Sequence, residues 1–495
     1  MNNSDDEIVK TFVIFKKWTD SFTMHGFPNI FRTKYITVRM MWIILFLFSN
    51  GFCFYIITKN IMNFFKYEVV TTIKVAERDS LPFPAVTVCN ANSFVTEGGL
   101  QYVSDVLDKY NLTDFPNVIL KDAYEGNLND NSSILYFNYI FFRYFTTVFT
   151  KSSPEEIKQK LKIPYEQMFI SCLYNFQPCN KNNWTWYYDS FFGNCYRFNT
   201  QQNSEIKNSY QAGKYQGLMI ELFVGIPENQ TTLSISTGAH IFVDDNLFKP
   251  FLGQGVDIAP GFISNLVLHR ISTQQLPKPY SECNGNLDTI NSFDSEYYRK
   301  VFRSNLTYRQ DDCFLAYIQS EILKKCDCDE MAYNLISESN NPCDTLEEQI
   351  CSMDHYQDLT QSNYKDKIEN LCPLECQSVS FEIAKSENRY PSVNYAKDLI
   401  KTHEKLSSLL RNKTNISIED LRENILAVNV YYEHLKVTEI RQSPSITWDG
   451  LVGSVGGTLG LFLGISFLSF VELIDLLFQI VFNKTSNKVF SSTEN

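Results

Sequence analysis

The chain has 495 residues, enough for several domains and a large buried core. Its 44 Lys and Arg against 56 Asp and Glu leave a formal net charge of -12, which excludes a nucleic-acid binder built on clustered basic side chains. The same charge would concentrate cations near the molecule. No HExxH, Gly-x-Ser-x-Gly elbow or Walker loop occurs, so the chain is not read as an enzyme.

Residues 1–39 form a charged leader, and residues 40–62 the first predicted membrane helix. Met40 to Ile57 is almost uninterrupted apolar sequence, and roughly 20 helical residues span the hydrocarbon of a bilayer. A secretory signal peptide is the rival reading, but a long charged segment precedes the stretch and no small-residue cleavage site follows it. Lys10, Lys16, Lys17, Arg32, Lys34 and Arg39 precede this helix, and Lys484 and Lys488 follow a second apolar stretch at about 451–482. The positive-inside rule then puts both termini in the cytosol of a two-span plasma-membrane protein and residues 63–445 outside the lipid bilayer.

Cysteine usage tests that topology independently. Of 13 cysteines, only Cys53 lies in a predicted span; the others fall between Cys89 and Cys376, as an oxidising compartment predicts. A zinc site at Cys326 and Cys328 is the alternative, but no CxxC or HxxxH partner has the spacing. Asn111, Asn131, Asn183, Asn229, Asn305, Asn412 and Asn415 head glycan acceptor sequences in the same region.

Within the ectodomain, Leu81 to Asn90 reads as a strand entered through prolines. Ser153-Pro154-Glu155-Glu156 opens a helix from Glu155 to about Leu161. Gly217 to Val224 and Ala239 to Val243 read as strands, and Asp311 to Lys325 as a helix. Ser417 starts a further helix, and β-branched and aromatic residues from Ile425 to Ile440 predict a long strand. The mixture predicts a large disulfide-rich α+β extracellular domain beside the two transmembrane helices.

The second span, residues 446–482, carries the functional signal, before a tail at 483–495. Gly450 to Asp475 combines many glycines with intramembrane acids, and an inert anchor needs neither. Glycine permits a helix break whose freed carbonyls can line a polar cavity. Glu472 and Asp475, three apart, share a helix face, with Glu472 about 9 Å beyond Ser466 in an unbroken helix. Repeated by symmetry they would form cation-attracting rings; a structural salt bridge is the alternative for Glu472. Asp449 could form an outer ring that binds calcium, or be a solvated helix-start residue. The stretch reads as a cation pore.

His25-Gly26, Phe83-Pro-Ala-Val-Thr-Val-Cys-Asn90, Gly255 to Phe262 and Gly453 to Ser466 together resemble the degenerin/epithelial sodium channel superfamily over most of the chain. The resemblance implies a homo- or heterotrimer of related subunits around a sodium-selective, amiloride-sensitive pore, with no cofactor beyond permeant Na+. It places the selectivity filter on Gly464, Ile465 and Ser466, a position linked to constitutive opening on Gly453, and the amiloride position on Gly460. His25 and Gly26 are implied to support the inner pore, and Tyr67 and Tyr280 to couple ectodomain and gate, although a core tyrosine is the plain alternative for each. The implied disulfides are Cys89–Cys195, Cys172–Cys179, Cys283–Cys376, Cys326–Cys351 and Cys328–Cys343, with Cys313 and Cys372 left to pair with each other.

Acid-sensing members of the superfamily carry a titratable His pair where this chain has Glu68-Val69. Their thumb carboxylates fall on Met353 and Gln357, with Asp354 and Asp358 displaced by one. His240, His269, His355, His403 and His434 are scattered. The chain therefore looks more like the peptide-gated branch, of the cnidarian (Hydra) type, with a neuropeptide as extracellular ligand. Proton gating or constitutive activity within the family is the alternative. From other classes, an ATP-gated two-helix channel would need a lysine-rich phosphate site, and a membrane-anchored receptor has no use for Glu472 and Asp475.

Overall fold

A computed structural model describes residues 16, 18–19, 22–92, 96, 98–99, 101, 105, 108, 161–189, 192–200, 205–225, 236–248, 250, 254–304, 307–330, 341–343, 345–361, 370–403, 406, 409–410 and 415–491. The chain divides into two compact units, residues 1–71 with 442–495, and residues 72–441. In chain order the longer helices are α1 (Phe27–Arg32), α2 (Ile36–Phe64), α3 (Glu296–Arg303), α4 (Gln310–Cys326), α5 (Leu346–Gln361), α6 (Val393–Thr402), α7 (Ile418–Asn424), α8 (Trp448–Leu463) and α9 (Phe467–Ser491). The longer strands are β1 (Val69–Glu77), β2 (Ala85–Asn90), β3 (Phe169–Tyr174), β4 (Trp184–Asp189), β5 (Gly193–Phe198), β6 (Leu218–Phe223), β7 (Ala239–Asp244), β8 (Val256–Ile258), β9 (Phe262–Gln274), β10 (Gln377–Arg389) and β11 (Ile425–Pro444).

The larger unit is built on two sheets. The first runs β10–β9–β11–β6–β3, with the short strand Gln177–Pro178 at its edge and β1 paired to β11. β9 and β11 are parallel, whereas β10–β9, β11–β6 and β6–β3 are antiparallel, with a register shift on β9 between Leu268 and Arg270. Because β11 lies between β9 and β6, Ile425 to Val430 are all buried rather than alternating. Asn265 and Asn429 stand opposite each other there, and Asn429 Nδ2 donates to Asn265 Oδ1 at 2.9 Å. A buried amide pair of this kind is satisfied in one register only, so a slip would leave both groups unpaired.

The second sheet runs β8–β7–β2–β5–β4. β2 is buried at every position, as a central strand covered on both faces must be. Phe83, Val86, Val88, Tyr196, Phe198, Leu218, Ile220, Leu266, Val428 and Tyr432 belong to one apolar core that joins residues of both sheets. Phe83 sits at its centre, ring edges against Tyr174 at 5.1 Å, Phe198 at 6.2 Å and Tyr432 at 6.4 Å. The Phe83 carbonyl accepts from the buried amides of Asn199 and Asn246, which ties the proline-bounded entry to both neighbouring loops.

Helices α3, α4 and α5 have small cores of their own. Tyr298, Val301, Tyr308, Cys313 and Cys372 form one, and Leu315, Tyr317, Ile318, Ile322, Cys328 and Cys343 another. Cores this small are marginal, and disulfides supply the constraint. The six bonds are Cys89–Cys195, Cys172–Cys179, Cys283–Cys376, Cys313–Cys372, Cys326–Cys351 and Cys328–Cys343, the same pairs that the resemblance implies. Cys89 and Cys195 face each other across the β2–β5 ladder. Cys53 is the free cysteine, buried.

Most predicted elements are present, with shifted ends. The expected helix from Asp311 spans Gln310–Cys326, and the long strand continues to Pro444. Ser417 caps α7 through a full capping box with Asp420. The first apolar helix begins at Ile36 rather than Met40 and ends at Phe64. The helix predicted from Glu155 lies outside the described residues up to Leu161. Sequence reading missed α1, α3, α5 and α6, and the strands β1, β3, β4, β5, β8, β9 and β10. β4 and β5 carry partly polar, aromatic sequences that show no clean two-residue alternation, and α3 is eight residues, too short for a periodic signal.

Candidate pore site

The smaller unit contains α1, α2, α8 and α9. α2 has 29 residues, about 43 Å at the helical rise, and is long and apolar enough to cross a membrane. Met40, Ile44, Leu47, Phe48 and Phe54 are all exposed on it, as are Leu461, Phe467, Leu468 and Leu477 on and between α8 and α9. An exposed apolar surface of this extent marks a lipid or partner surface.

α8 starts on Thr447, whose Oγ1 accepts from Gly450 N, and places Asp449 exposed in its first turn. It ends at Leu463. Gly464 has φ +66, the left-handed conformation in which glycine suffers no Cβ clash, and its N–H returns to Gly460 O at 3.0 Å. Ile465 N reaches Leu459 O at 3.3 Å, and the chain then restarts as α9, bent by 69°. Ser466 opens α9: its N–H donates to Ser469 Oγ at 3.1 Å, and Ser469 N donates to Ser466 O at 3.0 Å. The Gly464-Ile465-Ser466 triplet is therefore the non-helical corner itself.

A corner exposes carbonyls, and their partners define what it can do. Phe462 O accepts from Ser49 Oγ of α2 at 2.7 Å. Leu463 O accepts from His25 N at 2.8 Å. Among the described residues no donor reaches the carbonyls of Gly464 and Ile465. At membrane depth such groups are tolerated only where they are buried in protein or line a water-filled cavity.

The N-terminal segment wedges beneath the corner. A Cβ on Gly464 would lie 2.5 Å from the His25 ring, so the imidazole occupies the space that glycine leaves. Gly26, with φ +82, caps α1, and a Cβ on it would lie 3.7 Å from the Trp42 ring of α2. Trp18, Phe22, Phe27 and Phe46 form an aromatic run, with centroid distances of 4.3, 5.9 and 6.0 Å between successive rings. Thr23 then ties the segment to α9. Its N–H and its hydroxyl both donate to Glu472 Oε2 at 3.1 Å, and its hydroxyl lies 2.9 Å from Ser469 Oγ. Trp18 Nε1 donates to Glu472 O at 3.1 Å.

The carboxylate of Glu472 receives two intrachain hydrogen bonds from Thr23, a contact that spacing alone does not reveal because the partner lies 449 residues away. Asp475, one turn on, is exposed and accepts from Gln479 Nε2 at 2.7 Å. A Cβ on Gly453, Gly456 or Gly457 would meet nothing within 4 Å, and one on Gly460 only the Ile465 carbonyl, so this glycine face of α8 is open. The opposite face rests on α2, where Cys53 Sγ lies 3.9 Å from Thr458 O, Asn60 Nδ2 donates to Ser454 Oγ at 2.8 Å, and Phe52 packs on Phe462. This polar ladder on α2 also went unread in the sequence; Ser49, Cys53 and Asn60, spaced by four and seven, were its signal.

Of the remaining predicted positions, Tyr67 has φ +53 and packs on Phe64 and Phe65. Tyr280 belongs to the other unit, in a turn where its N–H donates to Pro277 O. Asn183 ends a short helical turn capped by Asn180, and Asn415 is exposed. Asn111, Asn131, Asn229, Asn305 and Asn412 lie outside the described residues. On α5, Met353 is buried, whereas Asp354, Gln357 and Asp358 are exposed. His240 is held between Asp257 at 2.6 Å and Gln254 O at 2.8 Å. No cluster of three or more His, Cys, Asp or Glu able to hold a metal ion occurs among the described residues.

The structure joins apolar helices with a non-helical corner to a disulfide-rich sheet domain, and the family it matches is one of membrane ion channels, not enzymes. The family model described as amiloride-sensitive sodium channel matches residues 18–476, and the chain belongs to that family. Its sheet-rich unit with six disulfides is the family's extracellular domain. The chain is 26% identical over 487 residues to acid-sensing ion channel 1C of Danio rerio, covering 94% of this chain and 84% of that protein. It is 24% identical over 482 residues to acid-sensing ion channel 2 of Homo sapiens, covering 93% and 85%. With the epithelial sodium channel subunit alpha of Mus musculus it shares 24% over 318 residues, covering 63% and 43%.

Proposed function

We propose that the chain is one subunit of a trimeric, sodium-selective, amiloride-sensitive plasma-membrane channel, with two spans, cytosolic termini and Gly464-Ile465-Ser466 as its filter. The observation that carries this reading is the pair of carbonyls at Gly464 and Ile465, which no donor among the described residues reaches although their neighbours at Phe462 and Leu463 are bonded. Three such corners around an axis would offer a ring of oxygens to a partly dehydrated cation. The open glycine face at Gly453, Gly456, Gly457 and Gly460 suits close approach of neighbouring copies, identical or related. Asp449, exposed at the start of α8, is proposed as an outer ring that also admits calcium. Tyr67 and Tyr280 are proposed as the gating pair, to be tested by a double-mutant cycle on activation.

For gating, an extracellular ligand such as a neuropeptide is favoured over protons, because Glu68, Val69, Met353 and Gln357 replace titratable groups expected of an acid sensor. A second reading, proton gating, is favoured by the relatives named as acid-sensing channels. Both are tested by recording from cells expressing the subunit, alone and with related subunits. The expected result is an amiloride-blocked sodium current evoked by amidated peptides and not by acid steps. Current on acid steps alone would replace the peptide reading with the proton one. Ion selectivity that stays the same across several Gly464 and Ser466 substitutions would remove the filter assignment.

A further inference from the structure

Every second side chain of a strand points to the same face, so the parallel pair β9–β11 sets residues of both strands side by side. Beyond the register shift, the partners Arg270–Val437, Ser272–Glu439 and Gln274–Arg441 form three successive rows. Arg78, just past β1, joins them; its N–H donates to Leu435 O at 2.9 Å. These residues border a cavity of about 310 Å³.

The charges lining this cavity are unequal. Three guanidinium groups meet a single carboxylate, a formal balance of three minus one, or +2, in a chain whose net charge is -12. Glu439, with its side chain only 11% exposed, is bonded on Oε1 by Arg78 and on Oε2 by Arg441 at 3.1 Å. Neutralising it takes one positive charge, and two remain. Among the described residues Arg270 pairs with no carboxylate: its guanidinium lies over the Phe381 ring at 5.9 Å, reaches the Pro82 carbonyl at 3.5 Å and bonds the Tyr432 side chain. Of the acids near these residues in sequence, Glu77 pairs with Lys436 and Glu433 with His269, and Asp79, beside Arg78, does not line the cavity.

Surplus guanidinium charge beside a hydroxyl and an amide selects against cations and apolar ligands. A planar fork of N–H donors fits the paired oxygens of a carboxylate or phosphate. The side chains of Arg78 and Arg441 are 50% and 63% exposed, so such a group can enter from solvent. We propose that this cavity is a binding site on the extracellular domain for a small oxyanion, held between Arg270 and Arg441 with Ser272 and Gln274 as neutral donors. The site is separate from the pore residues, and its test does not require current.

The experiment uses the purified full-length channel and three probes at matched ionic strength and pH: inorganic phosphate, acetate and chloride. Thermal unfolding and calorimetry read binding. Saturable binding of phosphate or acetate, whichever source of oxyanion fits, is expected, with chloride as the non-oxyanion reference. Arg270→Gln should weaken the apparent affinity by roughly tenfold, the loss expected for a charge-assisted hydrogen bond. Arg441→Gln, on an exposed side chain whose loss does not threaten folding, should weaken it in the same direction and decides the matter if Arg270→Gln does not fold. Absence of saturable binding by both oxyanions, binding of chloride equal to theirs, or affinities unchanged by Arg441→Gln would each overturn the proposal.

Discussion

The Cβ that Gly464 lacks would stand 2.5 Å from the imidazole of His25, so the N-terminal segment and the helix corner interlock through an absent side chain. Two demands coincide at this glycine: a φ of +66 and room for a ring. Gly464→Ala meets both penalties, about 1–2 kcal/mol for the left-handed backbone and a further cost for displacing His25. The expected outcome is altered sodium over potassium selectivity, read from reversal potentials. Gly51→Ala on α2, where a Cβ meets nothing within 4 Å, is the control and should leave selectivity unchanged.

Glu472 and Thr23 should behave as one device. Hydrogen bonds to a charged acceptor contribute about 1.5–3 kcal/mol, so Thr23→Val and Glu472→Ala should each loosen the N-terminal segment. Their effects on selectivity should be similar, and the double variant should be no worse than the stronger single one. If Glu472 served only as a free ring charge, Thr23→Val would be silent.

Burial pushes the Asp244 carboxyl up to about 6, against the opposing pull of Arg309 and Arg197, and its Oδ2 has no hydrogen-bond partner. A carboxyl whose folded pKa exceeds its unfolded value binds protons more strongly when folded. Its contribution is therefore full below about 4 and lost as pH rises through about 6. Asp244→Asn, which mimics the protonated form, should stabilise the protein at pH 7.4 by about 1–3 kcal/mol and have little effect at pH 4. Thermal unfolding at the two pH values checks this; equal shifts at both would contradict it.

The helices α3, α4 and α5 depend on their cross-links more than the sheets do. Replacing Cys313 and Cys372 together by Ala removes the bond between the first turn of α4 and the residues just before Leu374. A loss of about 2–5 kcal/mol is expected, the usual cost of removing a native disulfide from a small core. Surface expression and thermal stability should fall together. Cys53→Ser, which removes no disulfide and keeps a donor toward Thr458 O, should cost much less in both.

Tyrosine hydroxyls offer a further check on the sheet unit. Tyr390 and Tyr395 both donate to Glu221 Oε1 at 2.6 Å, and Ser171 donates to Oε2 at 2.6 Å. Tyr390→Phe should cost about 1.5–3 kcal/mol in thermal unfolding, since the lost bond served a carboxylate. A stability equal to the parent would show that solvent already satisfies Glu221.

The sequence by itself determined the long apolar helix α2, the long strand β11 and the disulfide-rich unit, each written locally: an apolar run, β-branched residues in series, and cysteines confined to one region. The corner at Gly464 was implied by the family resemblance, because several glycines of that stretch allow a positive φ equally well. The tertiary structure alone decided that Glu472 receives Thr23, that Ser49 and His25 take the carbonyls of Phe462 and Leu463, and that Arg78, Arg270 and Arg441 converge. Those pairs are hundreds of residues apart in the chain. A hydrogen bond depends on direction and a few tenths of an ångström, which no periodicity in one segment can specify. Only packing brings the two partners to that distance.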